Sequence, residues 1–214
     1  MSIIFLRHGK LDLPYKNHKE MPFSMLNDIA NSRTNPSIDI NFLKKTLKYL
    51  EPFLENVDCI VVSPFNRGIE TGVIISNFIE RKNKRKINIF IENDLREVFF
   101  DPEKIIDGLN YIPDLPQLNN LVFEAMSGLR NGAEASISAF NRIKKIIKKY
   151  NYSDKIILII THSFLLETLE MYIKNKDIKN FHGSYEELIK VHKINYLSGF
   201  IIDKNLNIID FIDV

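Results

Sequence analysis

Short apolar runs, each followed by a polar turn, recur along the chain. Four of them are continuously apolar and rich in Ile, Val and Phe, as is typical of strands buried on both faces of a sheet. We therefore predict four buried strands. They cover residues 3–6, 59–62, 87–91 and 156–160.

Longer stretches with apolar residues at helical spacing separate these runs. Strands that alternate with helices of this length predict an α/β fold, a three-layer αβα sandwich around a mostly parallel sheet. The residues that carry the helical pattern are Phe42, Leu43, Leu47, Leu50 and Leu54, then Ile69, Val73, Ile74 and Phe78, then Phe140, Ile143, Ile146 and Ile147, and finally Leu165, Leu166, Leu169 and Ile173.

The C-terminal part of the chain has a different pattern. Residues 200–202 and 208–211 flank a turn-like segment, which predicts an antiparallel hairpin at one edge of the sheet. Residues 10–39 and 99–132 lack clear periodicity. Long irregular insertions are commonly binding loops, so we expect both to lie over the functional site.

Composition narrows the class of protein. A chain of 214 residues, 45% of them hydrophobic, is long enough for one good core, so we expect a single domain over residues 1–214. The formal net charge is only +2, and the lysine clusters lie in helix-like stretches or turns. Because no nucleic-acid-binding module is recognisable, we expect no nucleic-acid partner.

Cysteine usage and the N-terminus indicate the compartment. Cys59 is the single cysteine and lies inside an apolar run, which predicts a buried, inert thiol and suits a reducing cytoplasm. The first residues lack the basic and apolar regions of a signal peptide. No apolar run approaches the roughly 20 residues that cross a bilayer. We expect a soluble cytoplasmic protein with no membrane partner.

Polar side chains follow the predicted strands where a parallel sheet places its functional crevice, beyond the carboxyl ends. The first, second and fourth predicted strands end in residue types that can bind phosphate or transfer protons. The third predicted strand is followed by the charged segment 93–97. Each of these side chains alone could lie on the surface or in the core. A parallel sheet would bring them together in one crevice. These ends are Arg7-His8-Gly9, Ser63-Pro64-Phe65-Asn66-Arg67 and Thr161-His162-Ser163.

Phosphoryl transfer through a covalent intermediate requires this set of side chains. A neutral imidazole can attack phosphorus directly, and guanidinium groups offer fixed donors to the phosphoryl oxygens. A second, protonated histidine adds positive charge where transition-state charge accumulates, and a carboxylic acid protonates the leaving alcohol. Gly9 would let the backbone approach the phosphate closely.

Four motifs, taken in order, resemble the histidine phosphatase superfamily, which includes the phosphoglycerate mutases. The resemblance extends from residue 6 to about residue 165 and implies a phosphatase or mutase fold without a metal or other cofactor. The segment 131–134 with Arg142 is similar, more loosely, to a family segment that shapes the site entrance. The four motifs are Leu6-Arg7-His8-Gly9, Ser63-Pro64-x-x-Arg67-x-x-x-Thr71, Asp94-Leu95-Arg96-Glu97 and Thr161-His162-Ser163.

The resemblance implies a role for each matching residue. His8 would be the phosphorylated nucleophile, Glu97 the general acid, and His162 a second catalytic histidine. Asp94 and Asp101 lie close to Glu97 in sequence, so the identity of the acid stays open at this point. The implied phosphate-binding residues are Arg7, Gly9, Arg67, His162 and Ser163.

Departures from the family pattern argue against a glycolytic mutase. Leu11 and Pro14 occupy positions where such enzymes carry a small hydroxyl residue and an Asn. Lys10 replaces an acidic residue or Gln, and its ammonium either adds charge near the phosphate or faces solvent. In the second irregular stretch, Phe99 and Phe100, with Tyr111 beyond them, either pack on an apolar leaving group or belong to the ordinary core.

The sequence therefore predicts a cytoplasmic phosphatase that hydrolyses a small phosphorylated metabolite through a phosphohistidine on His8. A mutase-like phosphotransferase and a low-activity module that binds phosphate ligands are the alternatives. The physiological substrate is not defined by these motifs, and a homodimer stays open.

Overall fold

The computed structural model describes residues 2–15, 20–109, 111, 113–150, 155–176 and 184–214. A six-stranded sheet forms its centre. The four predicted buried strands and both hairpin strands are present, with ends that shift by at most one residue. The strands are β1 (Ser2–Arg7), β2 (Cys59–Val62), β3 (Asn88–Ile91), β4 (Ile156–Thr161), β5 (Gly199–Asp203) and β6 (Ile208–Ile212).

The sheet has the order β3-β2-β4-β1-β5-β6. Strands β3, β2, β4 and β1 are parallel, whereas β5 pairs antiparallel with both β1 and β6. The predicted α/β class, with a mostly parallel sheet and an antiparallel C-terminal hairpin at its edge, is confirmed. Ile160 pairs with Leu6 on one side and with Val62 on the other. This register brings the carboxyl ends of β1, β2 and β4 together.

Two hydrophobic clusters cover the two faces of the sheet. Alternate residues of β1 separate between them: Ile3 and Phe5 belong to one cluster, and Ile4 and Leu6 to the other. Because side chains of a strand alternate between faces, this division defines the two outer layers. The helices are α1 (Phe23–Ala30), α2 (Ile40–Leu54), α3 (Asn66–Asn83), α4 (Pro102–Ile105), α5 (Leu115–Met126), α6 (Ser136–Tyr150), α7 (Ser163–Lys174) and α8 (Ser184–Leu188).

The two stretches without periodicity contain helices, so the prediction that they are irregular was wrong in part. Helix α1 lies within residues 10–39, and α4 and α5 lie within residues 99–132. Helix α5 begins at a capping box in which Asp114 and Gln117 each accept from the other's backbone N–H. Residues 16–19, 110 and 112 of these stretches lie outside the described residues.

Helix α3 packs on the sheet through Ile75, Ile79 and two small residues. Of its predicted apolar pattern, Ile69, Ile74 and Phe78 are partly buried against the same cluster and Val73 is not. Val73, part of that pattern, is 42% exposed, whereas Thr71 and Gly72 are buried. A Cβ added at Gly72 would lie 2.6 Å from Cγ1 of Val62. Gly72 therefore allows α3 to approach β2 closely, and this approach carries Arg67 to the end of the strand.

Candidate active site

The carboxyl ends of the central strands form one wall of a pocket with a volume of about 440 Å³. The predicted site residues that line it are Arg7, His8, Arg67, Glu97 and Ser163. They come from β1, from the start of α3, from the segment after β3 and from the start of α7. The sheet thus gathers residues that are up to 156 positions apart, from 7 to 163, in one cavity.

His8 follows β1 and is only 4% exposed. Its Nδ1 lies 2.7 Å from the carbonyl oxygen of Gly9. Because a carbonyl oxygen only accepts, Nδ1 carries the proton and Nε2 keeps its lone pair in the neutral ring. Burial, with the positive charges of Arg67 and then Arg7, holds the pKa of His8 well below its ordinary 6.5. The imidazole is therefore neutral near pH 7.

Gly9 lies behind His8 and does not line the pocket. Its N–H donates to Oγ1 of Thr71 at 2.9 Å, and Thr71 in turn donates to the carbonyl of Arg67 at 2.6 Å. An added Cβ at Gly9 would meet Thr71 and Ile38 at 3.4 Å. The backbone N–H of Gly9, expected to approach phosphate, is thus used in a link between the His8 turn and α3.

His162 also differs from its expected place. It is fully buried and does not line the pocket, but its ring packs edge-on against His8 with 5.0 Å between centroids. Its Nδ1 accepts a hydrogen bond from Nε of Arg67 at 3.3 Å, so Nε2 carries the proton toward Oγ of Ser63 at 2.7 Å. Burial and the charge of Arg67 hold the pKa of His162 well below 6.5, consistent with a neutral ring.

Two arginines project their guanidinium groups into the site. Arg67 is 6% exposed, and its Cζ lies 4.5 Å from the ring centroid of Phe65. Burial lowers the pKa of Arg67 to about 10, while the negative charge of Glu97 opposes the shift. Arg67 is therefore still a cation near neutral pH. Its position between the aromatic ring and His162 fixes the direction of its remaining donors.

Arg7 is held by a segment that the sequence did not single out. Its NH1 donates to the carbonyl of Ile194 at 2.7 Å, and its Cζ lies 4.1 Å from the ring centroid of Tyr196. Tyr196 also lies 5.7 Å from the His8 ring and lines the pocket. No motif surrounds Tyr196 in the sequence, so only the fold reveals its place in the site.

Glu97 is the one of three candidate acids that lines the pocket. Its Oε1 accepts from the backbone N–H of Val98 at 2.9 Å and of Leu165 at 3.3 Å. Burial raises the pKa of Glu97, although these hydrogen bonds and both site arginines oppose the rise. Asp101 instead caps α4, and Asp94 does not reach the cavity. The geometry therefore favours Glu97 as the proton donor.

The turn that carries Glu97 is fixed by two contacts. Oγ1 of Thr161 donates to the carbonyl of Leu95 at 2.7 Å. Arg142 makes two hydrogen bonds of 2.7 Å to Glu134 and donates to the carbonyls of Asp94 and Arg96. Both side chains of the Arg142–Glu134 pair are mostly buried, at 9% and 13% exposure. Arg142 is thus a support of the carboxylate segment and not a contact at the entrance.

A second carboxyl group, which sequence reasoning missed, lines the same pocket. Glu167 lies on α7 one turn after Ser163 and is 7% exposed. Burial raises its pKa to about 7; Arg7 opposes this rise and the negative charge of Glu97 adds to it. The spacing of four residues from Ser163 places both on one face of a helix, so this neighbour could have been found from the sequence.

Lys10 does not line the pocket. Its Nζ lies 6.0 Å from the ring centroid of Phe42 on α2, and its carbonyl accepts from the N–H of Asp39. Leu11 forms an isolated bridge with Ile38. The ammonium of Lys10 therefore lies over an aromatic ring and not in the pocket.

Among known proteins, only solved structures match this chain. No family model and no curated protein matches the sequence. A mycobacterial glucosyl-3-phosphoglycerate phosphatase superposes with a TM-score of 0.63 at 13% identity, over 94% of this chain and 88% of the other. A phosphoserine phosphatase from Entamoeba histolytica, in complex with 3-phosphoglyceric acid, superposes with a TM-score of 0.63 at 14% identity. The match covers 100% of this chain and 97% of the other.

A phosphoglycerate mutase from Bacillus anthracis also superposes, with a TM-score of 0.59 at 17% identity over 94% of this chain and 87% of the other. These matches span nearly the whole of each chain, and at such identities they establish a shared fold.

In the part of the chain that the structure describes, no helix has the length and apolarity needed to cross a membrane.

Proposed function

We propose that this chain, whose fold is that of the histidine phosphatase superfamily, is a phosphatase that hydrolyses small phosphomonoesters through a phosphohistidine on His8. The observation that carries the proposal is the state of His8: a neutral ring whose Nδ1 is bound to Gly9 and which lines one pocket together with two arginines and a carboxyl group. A nucleophile, a cation pair and an acid are the parts that phosphoryl transfer needs.

In the first step, Nε2 of His8 attacks phosphorus and the bond to the ester oxygen breaks. The guanidinium groups of Arg7 and Arg67 stabilise the charge on the phosphoryl oxygens. Glu97 gives its proton to the departing alcohol, which leaves Glu97 ionised. The hydrogen bond from Nδ1 to Gly9 stabilises the positive charge that His8 acquires.

In the second step, water attacks the phosphorus of phosphohistidine. Glu97 takes one proton from that water, the P–N bond breaks, and its electron pair returns to Nε2 of His8. Phosphate leaves, and Glu97 and His8 are back in their starting states. The net reaction is hydrolysis of one ester to an alcohol and inorganic phosphate, with no metal or cofactor in either step.

His162 and Ser163 have supporting roles in this proposal. Because both ring nitrogens of His162 are bound to protein groups, it acts as a positioning residue that orients Arg67 and packs beside His8. Ser163 lines the pocket at the N-terminus of α7, where a helix dipole favours an anion. Gly9 contributes through His8 and Thr71 and makes no phosphate contact.

The proposed substrate is a small phosphorylated metabolite, and the proposed location is the cytoplasm. Support for the substrate comes from the pocket's size and cations, and from the Entamoeba histolytica neighbour, which holds 3-phosphoglyceric acid. The substitutions after Gly9 favour hydrolysis over mutase transfer, as the sequence pattern indicates. No contact of this chain with a second copy supports or opposes a dimer.

Turnover of an aryl phosphate in the presence of a chelator tests the proposal. We expect activity that His8→Ala abolishes and that Arg67→Ala lowers by about 10²- to 10³-fold. Arg81→Ala, on the exposed last turn of the same helix, is the matched control and keeps full activity. Circular dichroism confirms that each variant is folded. Full activity in folded His8→Ala overturns the proposal, as does phosphate binding without turnover of any phosphomonoester.

A further inference from the structure

We infer that the alcohol part of the substrate is an apolar group. It packs on an apolar wall of the pocket, whereas the phosphoryl group binds at the cationic end. This inference rests on the proposed function and narrows it to phosphomonoesters of hydrophobic alcohols. The wall is formed by residues of α1, of α5 and of the segment that follows Glu97.

Aliphatic and aromatic side chains make up this wall. Leu26 and Ala30 of α1 and Leu118 and Val122 of α5 line the pocket, and all four pack in or against one hydrophobic cluster. Phe100 lines it as well and belongs to the same cluster. Leu26 and Ala30 are partly exposed, so a ligand that covered them would remove apolar surface from water, the main source of affinity in small-molecule pockets, whereas Leu118, Val122 and Phe100 are buried.

The wall is held in place by contacts of the helices and segments that carry it. Nδ2 of the buried Asn27 donates to Oε1 of Glu103 at 2.7 Å, which ties α1 to α4. Asp101 accepts hydrogen bonds from the first backbone N–H groups of α4. Phe164 packs edge-on against Phe100, with 5.8 Å between the ring centroids. Because α1 is anchored, the apolar wall exists before a ligand enters.

The size of the pocket exceeds what a phosphoryl group needs. Its volume of about 440 Å³ lies within the range of about 300–1,000 Å³ that small-molecule sites show. The phosphoryl group takes only the end near His8, Arg7 and Arg67. The remaining space borders the apolar wall and can take a ring or a branched chain.

The polar groups inside the pocket disfavour a substrate with a second acidic group. Glu167 lines the cavity, and in its ionised form, whose fraction grows as pH rises through about 7, it repels a carboxylate placed beside it. Glu97, which is protonated at the start of the proposed mechanism, does not add to this repulsion. The further cations, Arg96 and Lys193, are exposed and line the cavity from its solvent side. They can attract phosphate dianions toward the pocket.

Of the three aromatic residues singled out in the sequence, two line the pocket. Phe100 is 9% exposed and Phe99 is 49% exposed, whereas Tyr111 is 56% exposed and lies outside the cavity. Phe99 therefore offers an uncovered ring at the pocket, and a hydrophobic alcohol would shield it from water.

Primary n-alkyl phosphates from propyl to hexyl test the inference, because their alcohols have nearly equal intrinsic reactivity as leaving groups. We expect kcat/KM to rise about threefold to fourfold for each methylene that the wall buries. We also expect hexyl and naphthyl phosphate to exceed phosphoserine and 3-phosphoglycerate in kcat/KM. A flat or falling alkyl series, with faster turnover of the two acidic esters, overturns the inference and leaves the proposed phosphatase standing.

Two variants of the wall sharpen the result. Ile29→Gln places an amide on the pocket side of α1 and should reduce the gain per methylene, whereas Ile40→Gln changes an exposed residue of α2 and should keep it. Ala30→Leu fills the pocket and should lower kcat/KM for hexyl phosphate more than for propyl phosphate. An unchanged chain-length dependence in both wall variants contradicts the inference. Absence of turnover of every ester overturns the proposed function, and the inference with it.

Discussion

Nε of Arg67 donates a hydrogen bond to Nδ1 of His162 across 3.3 Å, at a point that is closed to solvent. This contact assigns the protons of the second histidine, since Nε2 must then donate to Ser63. It also makes His162 a residue that acts through Arg67. The phosphate end of the pocket thus depends on a buried chain of hydrogen bonds from Ser63 to Arg67.

Replacement of His162 should reveal this indirect role. His162→Gln keeps an oxygen that can accept from Arg67, whereas His162→Ala leaves that donor without a partner. A buried group without its partner costs about 1–3 kcal/mol, so we expect the Ala variant to lose roughly 10- to 100-fold in kcat/KM. The Gln variant should recover a large part of this loss. Equal loss in the two variants contradicts the positioning role.

In the first step, Glu97 should be needed only when the leaving alcohol needs a proton. In Glu97→Gln we expect kcat/KM for an alkyl phosphate, which reports phosphorylation of His8, to fall by about 10²- to 10⁴-fold. For dinitrophenyl phosphate, whose leaving group departs as an anion, the loss in kcat/KM should be small, although kcat falls because Glu97 also activates water in the second step. Asp101→Asn, which alters the cap of α4, is the control and should not change this leaving-group dependence. A similar loss in kcat/KM for both esters in Glu97→Gln argues against its role as the acid.

The pH dependence of stability should report on Glu167. Its pKa is raised to about 7 in the folded protein from an ordinary 4.5, so the folded state holds the proton more tightly than the unfolded state. The contribution of Glu167 to the free energy of unfolding is therefore fully present below pH 4.5 and is lost as pH rises through about 7. The pKa shift corresponds to a loss on the order of 3 kcal/mol in the free energy of unfolding.

Glu167→Gln removes that titration. We expect its melting temperature to exceed that of the unaltered protein at pH 8 and the difference to vanish near pH 4.5. Glu70→Gln is a control because Glu70, on α3, lies outside the pocket. A difference in melting temperature that does not grow between pH 4.5 and pH 8 contradicts the raised pKa of Glu167.

Arg142 should contribute more to stability than an exposed arginine. In Arg142→Met the mostly buried Glu134 keeps a charge without its partner, for which we expect a loss of about 3–5 kcal/mol in the free energy of unfolding. Arg33 forms an exposed ion pair with Asp28, and Arg33→Met should cost less than about 1 kcal/mol. Urea denaturation measures both. Equal losses in the two variants contradict the supporting role of Arg142.

The strands were predictable because a strand buried on both faces has a continuous apolar run, as residues 59–62 show. Helix α1 was missed because it is only eight residues long, and Pro113 and Pro116 obscured α5 although Asp114 and Gln117 form its capping box. The packing face of α3 was predicted in part, since Ile69, Ile74 and Phe78 pack against the core, but the place of Gly72 on that face could not be predicted from hydrophobicity. A close approach to Val62 selects Gly72 there, and not a large apolar residue.

The composition of the site was predictable where residues follow a strand directly. Arg7, His8 and Arg67 line the pocket as expected because strand ends of a parallel sheet converge. Gly9 and His162 lie one layer deeper, since whether a residue at a strand end faces the cavity depends on side-chain packing. Tyr196 comes from a loop that precedes β5, and only the antiparallel pairing with β1 brings it to Arg7.

Detection of a phosphoryl group on His8 tests the central claim most directly. Rapid quenching of the protein with excess dinitrophenyl phosphate, followed by intact mass spectrometry and peptide mapping under alkaline conditions, should show one phosphoryl group. We predict that it is on His8, is labile in acid, and is absent from His8→Gln, while His192→Gln, at an exposed histidine, retains it. Steady turnover with no phosphoryl-protein at any quench time, together with full activity of folded His8→Gln, would contradict the account.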